Sequence, residues 1–320
     1  MISRVITVTL NPAIDETVTL DKLLPNHVHR ATAVRLDAGG KGVNVASCLA
    51  DWLSGPPVIA TGLLGAANVN AFETLFAAKN IVDEFIRIPG ETRTNIKLTH
   101  AGDTTDINLP GPTVDGSNIN KIHNKILDLV DKSALVLLAG SVPTGVRSGI
   151  YAELITALNT VSARVVLDTS GTPLRLALDA KILPYCIKPN RSELEDFCQR
   201  ALATDDDVII AAEQLIVRGV SLVIVSLGAE GALYISRERI LRASLPAIQP
   251  VSTVGAGDAM VAGIITALCD GADLEGIARL ATAFAVAKLG QVGPNLPPGK
   301  IVKELYTNVK IIKLIKLGGM

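Results

Sequence analysis

Residues 251–264 read VSTVGAGDAMVAGI. Three small residues, Gly255-Ala256-Gly257, run into Asp258, which opens an apolar stretch from Ala259 to Ile264. A segment that is apolar on every side reads as a buried helix, and what precedes it reads as the end of a strand and a glycine turn. A helix start leaves backbone N–H groups unsatisfied, and the helix dipole adds positive character there. A turn with almost no side chains lets an anion reach those groups. Asp258 then stands beside the bound anion. A carboxylate in that place suits removal of a proton from a hydroxyl that attacks phosphorus. The same aspartate could instead cap the helix.

Working outward, short apolar runs recur between helical patterns: RVITVTL (4–10), PVIATGLL (57–64), LVLLAG (135–140), RVVLD (164–168), YCIK (185–188) and LVIVSL (222–227). Strands covered on both faces look like this. DDDVIIAAEQLIVRG (205–219) has an acidic first turn and ends in Arg218-Gly219, the order a helix dipole and cap favour. Alternating strands and helices imply an α/β fold with a mostly parallel sheet. Two stretches alternate at period two, VHRATAVRLDA (28–38) and TRTNIKLT (92–99). In the second, Ile96 and Leu98 share one face, and Arg93, Asn95 and Lys97 the other. They read as half-exposed strands of a small separate sheet whose polar face, with two cations, could cover an anion, or as an edge extension of the main sheet. The tail IVKELYTNVKIIKLIKLGGM (301–320) could form a basic amphipathic helix or a terminal element packed on the body.

The 320 residues are 48 % hydrophobic and 19 % charged, enough apolar content for a large core. A net charge of −1 gives no long-range attraction to nucleic acid or an anionic membrane. No run is long enough to span a bilayer. Cys48, Cys186, Cys198 and Cys269 show no metal or disulfide spacing and read as buried thiols. The start MISRVITVTLNPAIDE lacks a secretory layout. A cytoplasmic location is expected. His27, His29, His100 and His123 have no metal-site spacing and read as surface residues, His27 and His29 on a strand.

Three further stretches carry candidate chemistry. In DAGGKGVNVA (37–46), Gly39, Gly40 and Gly42 form a turn before a helix, Lys41 offers a point charge for phosphate and Asn44 can serve sugar hydroxyls. Upstream, Asp15 follows the first strand, where parallel sheets bind ligands. In IKPNRSELEDF (187–197), Lys188 ends a strand, while Asn190, Ser192 and Glu193 open a helix. These suit either magnesium held through water or a capping box. In VSLGAEGALY (225–234), Gly228 and Gly231 make an open turn over which a nucleotide could lie, or a plain hairpin. No P-loop motif is present, and Met260 stands where a dinucleotide fingerprint needs its third glycine.

The ordered set TLNPAIDETV, GGKGVNVA, TRTNIKLT, AGSVPTG, KPNRSELE, VSLGAEGALY and STVGAGDAM resembles the PfkB family of ribokinase-type carbohydrate kinases over about 290 residues. The resemblance implies a single kinase domain over residues 1–320. Its fold would be a ribokinase-like three-layer α/β sandwich with a β-sheet lid from segments near 13–37 and 90–110. It implies ATP, Mg²⁺ and a sugar-phosphate acceptor, with fructose 1-phosphate phosphorylated at its C6 hydroxyl to fructose 1,6-bisphosphate. Kinases of tagatose 6-phosphate or fructose 6-phosphate, and a non-catalytic sugar-phosphate sensor, are the alternatives. Asp258 matches the family's base, and Gly255, Ala256 and Gly257 its anion hole. Asp15, Gly40, Lys41, Asn44, Arg93 and Ser141 match the sugar-phosphate side. Lys188, Asn190, Ser226, Gly228 and Gly231 match the nucleotide side, with Asn190 and Glu193 holding the metal through water. Ser252 and Thr253 stand where many sugar kinases of the superfamily carry an acidic or amide residue. A homodimer through the lid is expected.

Overall fold

The computed structural model describes residues 2–101, 103–246 and 254–314. Its strands are β1 (Arg4–Thr9), β2 (Ala13–Leu20), β3 (Ala33–Gly39), β4 (Val58–Gly65), β5 (Val82–Asp83), β6 (Ile86–Ile88), β7 (Arg93–His100), β8 (Asp103–Asn108), β9 (Ala134–Ala139), β10 (Arg164–Asp168), β11 (Cys186–Ile187), β12 (Leu222–Ser226), β13 (Ala232–Ser236), β14 (Ile240–Ser244) and β15 (Lys310–Leu314). Its α-helices are α1 (Lys41–Ala50), α2 (Asn70–Lys79), α3 (Gly116–Leu129), α4 (Ile150–Thr160), α5 (Gly171–Asp179), α6 (Arg191–Cys198), α7 (Asp205–Arg218), α8 (Ala256–Cys269), α9 (Leu274–Leu289) and α10 (Gly299–Asn308).

The main sheet runs β15-β14-β13-β12-β11-β10-β9-β1-β4-β5, with β6 also on β4. It is parallel from β12 to β5 and turns antiparallel through β13, β14 and β15. Successive side chains of a strand point to opposite faces, so each central strand feeds two cores. Val5, Leu135 and Val166 pack with residues of α1, α2, α8, α9 and α10. Ile6, Val136 and Leu167 pack with residues of α3 to α7. This is the expected three-layer sandwich. α8 is buried along nearly its whole length, as its uniformly apolar sequence requires.

The second sheet, in the order β3-β2-β7-β8, is the small separate sheet. β2–β3 and β7–β8 are antiparallel, and β2–β7 is parallel. Opposed residues share a face. Val18, Val34, Leu36, Ile96, Leu98 and Ile107 therefore lie on one side, and Asp15, Thr17, Arg35, Asp37, Lys97 and Asp106 on the other. On the polar side Lys97 pairs with Asp15 at 3.5 Å and Arg35 with Asp37 at 2.7 Å.

Other expectations need correction. Of the two readings of the tail, the terminal element packed on the body holds and the single helix does not: α10 ends at Asn308, and β15 then hydrogen-bonds the edge strand β14, with Ile311 against one core and Leu314 against the other. Residues 315–320 lie outside the described residues. His27 and His29 sit in a loop rather than a strand. Their rings bond the Pro25 and Leu24 carbonyls at 2.8 and 3.0 Å, local bonds that compete with a ladder. His29, His100 and His123 are half-buried rather than on the surface. Cys48 and Cys186 are buried, while Cys198 and Cys269 are only partly so, because they close helices at the rim.

Candidate active site

α8 begins between two cavities. One, of about 530 Å³, is walled by the polar side of the small sheet with Asn44, Cys48, Gly255, Lys288 and the 292–294 segment. The other, of about 420 Å³, is walled by Ser226, Gly228, Gly231, Ala256, Gly257, Met260 and apolar residues of α9. A single helix end thus borders both. Its N-cap is Gly255 at φ +82°, a left-handed conformation in which a side chain would be strained.

Asp258 does not cap the helix. No side chain does. Its Oδ2 instead accepts a 2.7 Å hydrogen bond from Asn44 Nδ2 on α1. Burial, with a smaller contribution from Asp168, raises its pKa from 3.8 to about 6, against the opposing pull of Lys41, the Asn44 bond and Lys188. The carboxylate is charged at neutral pH yet more basic than an ordinary aspartate, which suits a general base.

Asp168, at the end of β10, was not singled out from the sequence. It is 1 % exposed and takes Lys41 at 3.1 Å and Lys188 at 3.5 Å. Burial alone would raise its pKa, but the two lysines hold it below the usual carboxylate range. Burial alone would lower Lys41, but Asp168, Asp258 and Glu193 hold it above its ordinary value. Lys188 in turn reaches Gly257, where an added Cβ would lie 3.7 Å from its Nζ. One carboxylate therefore links the two lysines to the start of α8. The signal in the sequence was a pair of strands ending in opposite charges, RVVLD and YCIK.

Asp15 lines the larger cavity and accepts from Asn95 Nδ2 at 3.0 Å. Gly40 is the N-cap of α1. Arg93 and Ser141 line neither cavity and meet through Asn11, also missed. Asn11 Nδ2 donates to Ser141 Oγ at 2.9 Å, and its carbonyl accepts from Arg93. The Arg93 guanidinium also donates to the Pro12 and Leu109 carbonyls. Three of its five N–H groups are thus engaged.

On the other side, Asn190 and Glu193 form a reciprocal capping box on α6, with Glu193 Oε2 on the Asn190 N–H at 2.9 Å. Gly228 and Gly231 bound a short turn between β12 and β13, so the stretch is both a hairpin and a cavity wall. Gly231 is glycine for packing, since a Cβ there would lie 2.1 Å from the Ala243 carbonyl oxygen. Lys288, in the last turn of α9, is 3 % exposed and lines the larger cavity. A lone lysine in a helical run gave no signal. Ser252 and Thr253 lie outside the described residues.

A buried, basic carboxylate at a helix start shared by a polar and an apolar cavity is an arrangement suited to phosphoryl transfer. The model of the pfkB family carbohydrate kinases matches residues 8–300, and the chain belongs to that family of phosphotransferases. It is 48 % identical over 291 residues to a 1-phosphofructokinase of Xanthomonas campestris, covering 89 % of this chain and 91 % of that protein. It is 44 % identical to a 1-phosphofructokinase of Rhodobacter capsulatus, covering 97 % and 98 %. The crystal structure of phosphofructokinase-2 from Escherichia coli in complex with fructose-6-phosphate superposes with a TM-score of 0.88 at 28 % identity, covering 95 % and 98 %. No described helix is long and apolar enough to cross a membrane.

Proposed function

We propose that this enzyme transfers the γ-phosphoryl group of ATP to the C6 hydroxyl of fructose 1-phosphate. The observation that carries the reading is the start of α8, with Gly255 in one cavity wall, Ala256 and Gly257 in the other, and Asp258 held by Asn44 beside them. The sugar phosphate occupies the polar cavity with Asp15 and Asn44, and the nucleotide lies over Gly228 in the apolar one. Asp258 takes the C6 proton. The N–H groups of 255–257 receive the charge that develops on the transferring group, the arrangement that contributes most in such sites. Lys41 and Lys188, held by Asp168, add positive charge nearby. Arg93 lies outside both cavities, at the root of the small sheet, and keeps two N–H groups for the sugar's own phosphate where it extends past the polar cavity.

Among the described residues no cluster of His, Cys, Asp or Glu forms a metal cage. Magnesium asks for none, since it keeps its waters and binds through one or two carboxylates and the substrate phosphates. Glu193 spends one oxygen on the capping box, and its other oxygen with Asn190 suits water-mediated Mg²⁺. When bound, the ion neutralises phosphate charge.

The acceptor is the finest part of the reading. Either phosphate of a fructofuranose leaves the opposite exocyclic hydroxyl free, so fructose 1- and 6-phosphate can enter in reversed orientations. The anomeric hydroxyl then falls in different places, and a site built to bond it in one can discriminate by as much as about 10⁴-fold. The two 1-phosphofructokinase relatives support the 1-phosphate. ADP release from Mg·ATP with fructose 1-phosphate, fructose 6-phosphate and tagatose 6-phosphate tests this. A higher kcat/KM for either 6-phosphate overturns the acceptor, and no turnover with any of the three favours a sensor.

The small sheet is the lid of one catalytic unit, and its apolar side is the surface for a second copy. Val34 and Leu36 are more than half exposed there, and an apolar sheet face of this kind is stable when covered.

A further inference from the structure

Lys288 belongs to no motif and has no part in the mechanism above, yet it is among the most buried charges in the chain. Its Nζ donates to the Gln291 carbonyl at 3.0 Å. Its Cε and Nζ lie 3.3 and 3.9 Å from the point where a Cβ on Gly255 would project. The lysine therefore fills the space a side chain at the α8 N-cap would take. Among the described residues no carboxylate forms an ion pair with it, whereas Lys41 and Lys188 share Asp168. A buried cation without such a partner is costly, and burial accordingly lowers its pKa. Gln291 also opens the segment whose residues 292–294 wall the larger cavity. The Pro294 carbonyl in that segment accepts from Ser47 of α1.

We infer that Lys288 is a positioning residue for phosphoryl transfer: its ammonium fixes the Gly255 turn against the 291–294 segment and places a standing positive charge beside the anion hole. The anion hole acts on charge that appears only during transfer. A group that sets the hole's geometry and potential is therefore felt in kcat more than in ground-state binding.

The inference rests on the kinase reading, which wild-type turnover tests by itself. Given turnover, Lys288→Met should lower kcat by about 10²-fold, the scale of losing one preorganised donor. KM for fructose 1-phosphate and for ATP should stay within about threefold. Ammonium or methylammonium chloride should restore part of the variant's kcat and leave the wild type unchanged. Lys288→Arg, which keeps the charge, should stay within about tenfold of wild type. The inference is overturned by an unchanged kcat in Lys288→Met, by a raised sugar-phosphate KM at constant kcat, or by a kcat loss that ammonium does not relieve. If Lys288→Met does not fold, Lys288→Gln is held to the same limits. If neither folds, Lys288→Arg decides: a loss beyond about tenfold overturns the inference, and a smaller one supports it.

Discussion

Asp258→Asn should make the protein more stable while it destroys turnover. Asp258 is buried, and its pKa stands at about 6 against 3.8 for a free carboxyl. The folded chain thus binds the proton more tightly than the unfolded chain does. Stability associated with this group is full below pH 3.8 and is lost as pH rises through about 6. At neutral pH the charged form costs about 3 kcal/mol relative to the unfolded state. Asparagine has the same shape, can accept the Asn44 bond through its Oδ1 and carries no charge to desolvate. In urea unfolding at pH 7.5 it should gain up to about 3 kcal/mol, falling to roughly half at pH 5 as the wild-type carboxyl takes up its proton. Turnover with Mg·ATP and fructose 1-phosphate should fall by about 10²–10⁴-fold. If the variant is no more stable at pH 7.5, Lys41 and Lys188 outweigh burial, and the account of a strained, basic aspartate is refuted. If it keeps more than about a tenth of wild-type kcat, Asp258 is not the base.

In the wild type, kcat/KM should drop about tenfold per pH unit below about 6 as Asp258 is protonated, and a flat profile down to pH 5 would contradict this. Arg93→Ala should raise KM for the sugar phosphate by about 10–100-fold with little change for ATP. Equal losses for both would make Arg93 a staple of the Asn11, Pro12 and Leu109 carbonyls and nothing more. Asp168→Ala should cost about 3 kcal/mol in urea unfolding by leaving Lys188 buried without its partner; a loss below about 1 kcal/mol would show the triad to be solvated. Leu36→Glu with Ile107→Glu should yield a monomer by light scattering, and a wild type that is already monomeric at micromolar concentration would remove the lid interface altogether.

The central strands were legible because burial on both faces forces continuous apolar runs, as in LVLLAG. The start of α8 was legible because its N-cap takes a left-handed φ that favours glycine and the helix behind it is buried. What escaped was set by distance along the chain or by edge pairing. Asn44 and Asp258 are 214 positions apart, so spacing could not show that one holds the other. Asp168 looked like an ordinary strand end until Lys41 arrived from 127 residues away. KIIKL reads as a piece of helix in isolation and becomes a strand because β14 offers an unpaired edge. The order Asn190-x-x-Glu193 fits a capping box and a water-held metal alike, so spacing alone could not separate them; the capping box forms and leaves one Glu193 oxygen free of it.

The small sheet is one strand-layer thick, so its two faces are written on alternate residues of the same ladder. Asp15 opposes Asn95 on the cavity side, and the next pair, Glu16 and Ile96, faces outward. The ladder starts where Ala13 opposes Arg93, the residue tied to three carbonyls at its root. Losing one residue between Ala13 and Thr19 would turn every later side chain of β2 over. Val18 would enter the cavity, and a polar neighbour would take its place outside. Here chain length is constrained as tightly as residue identity, and a single-codon deletion in this strand would do more harm than most substitutions within it.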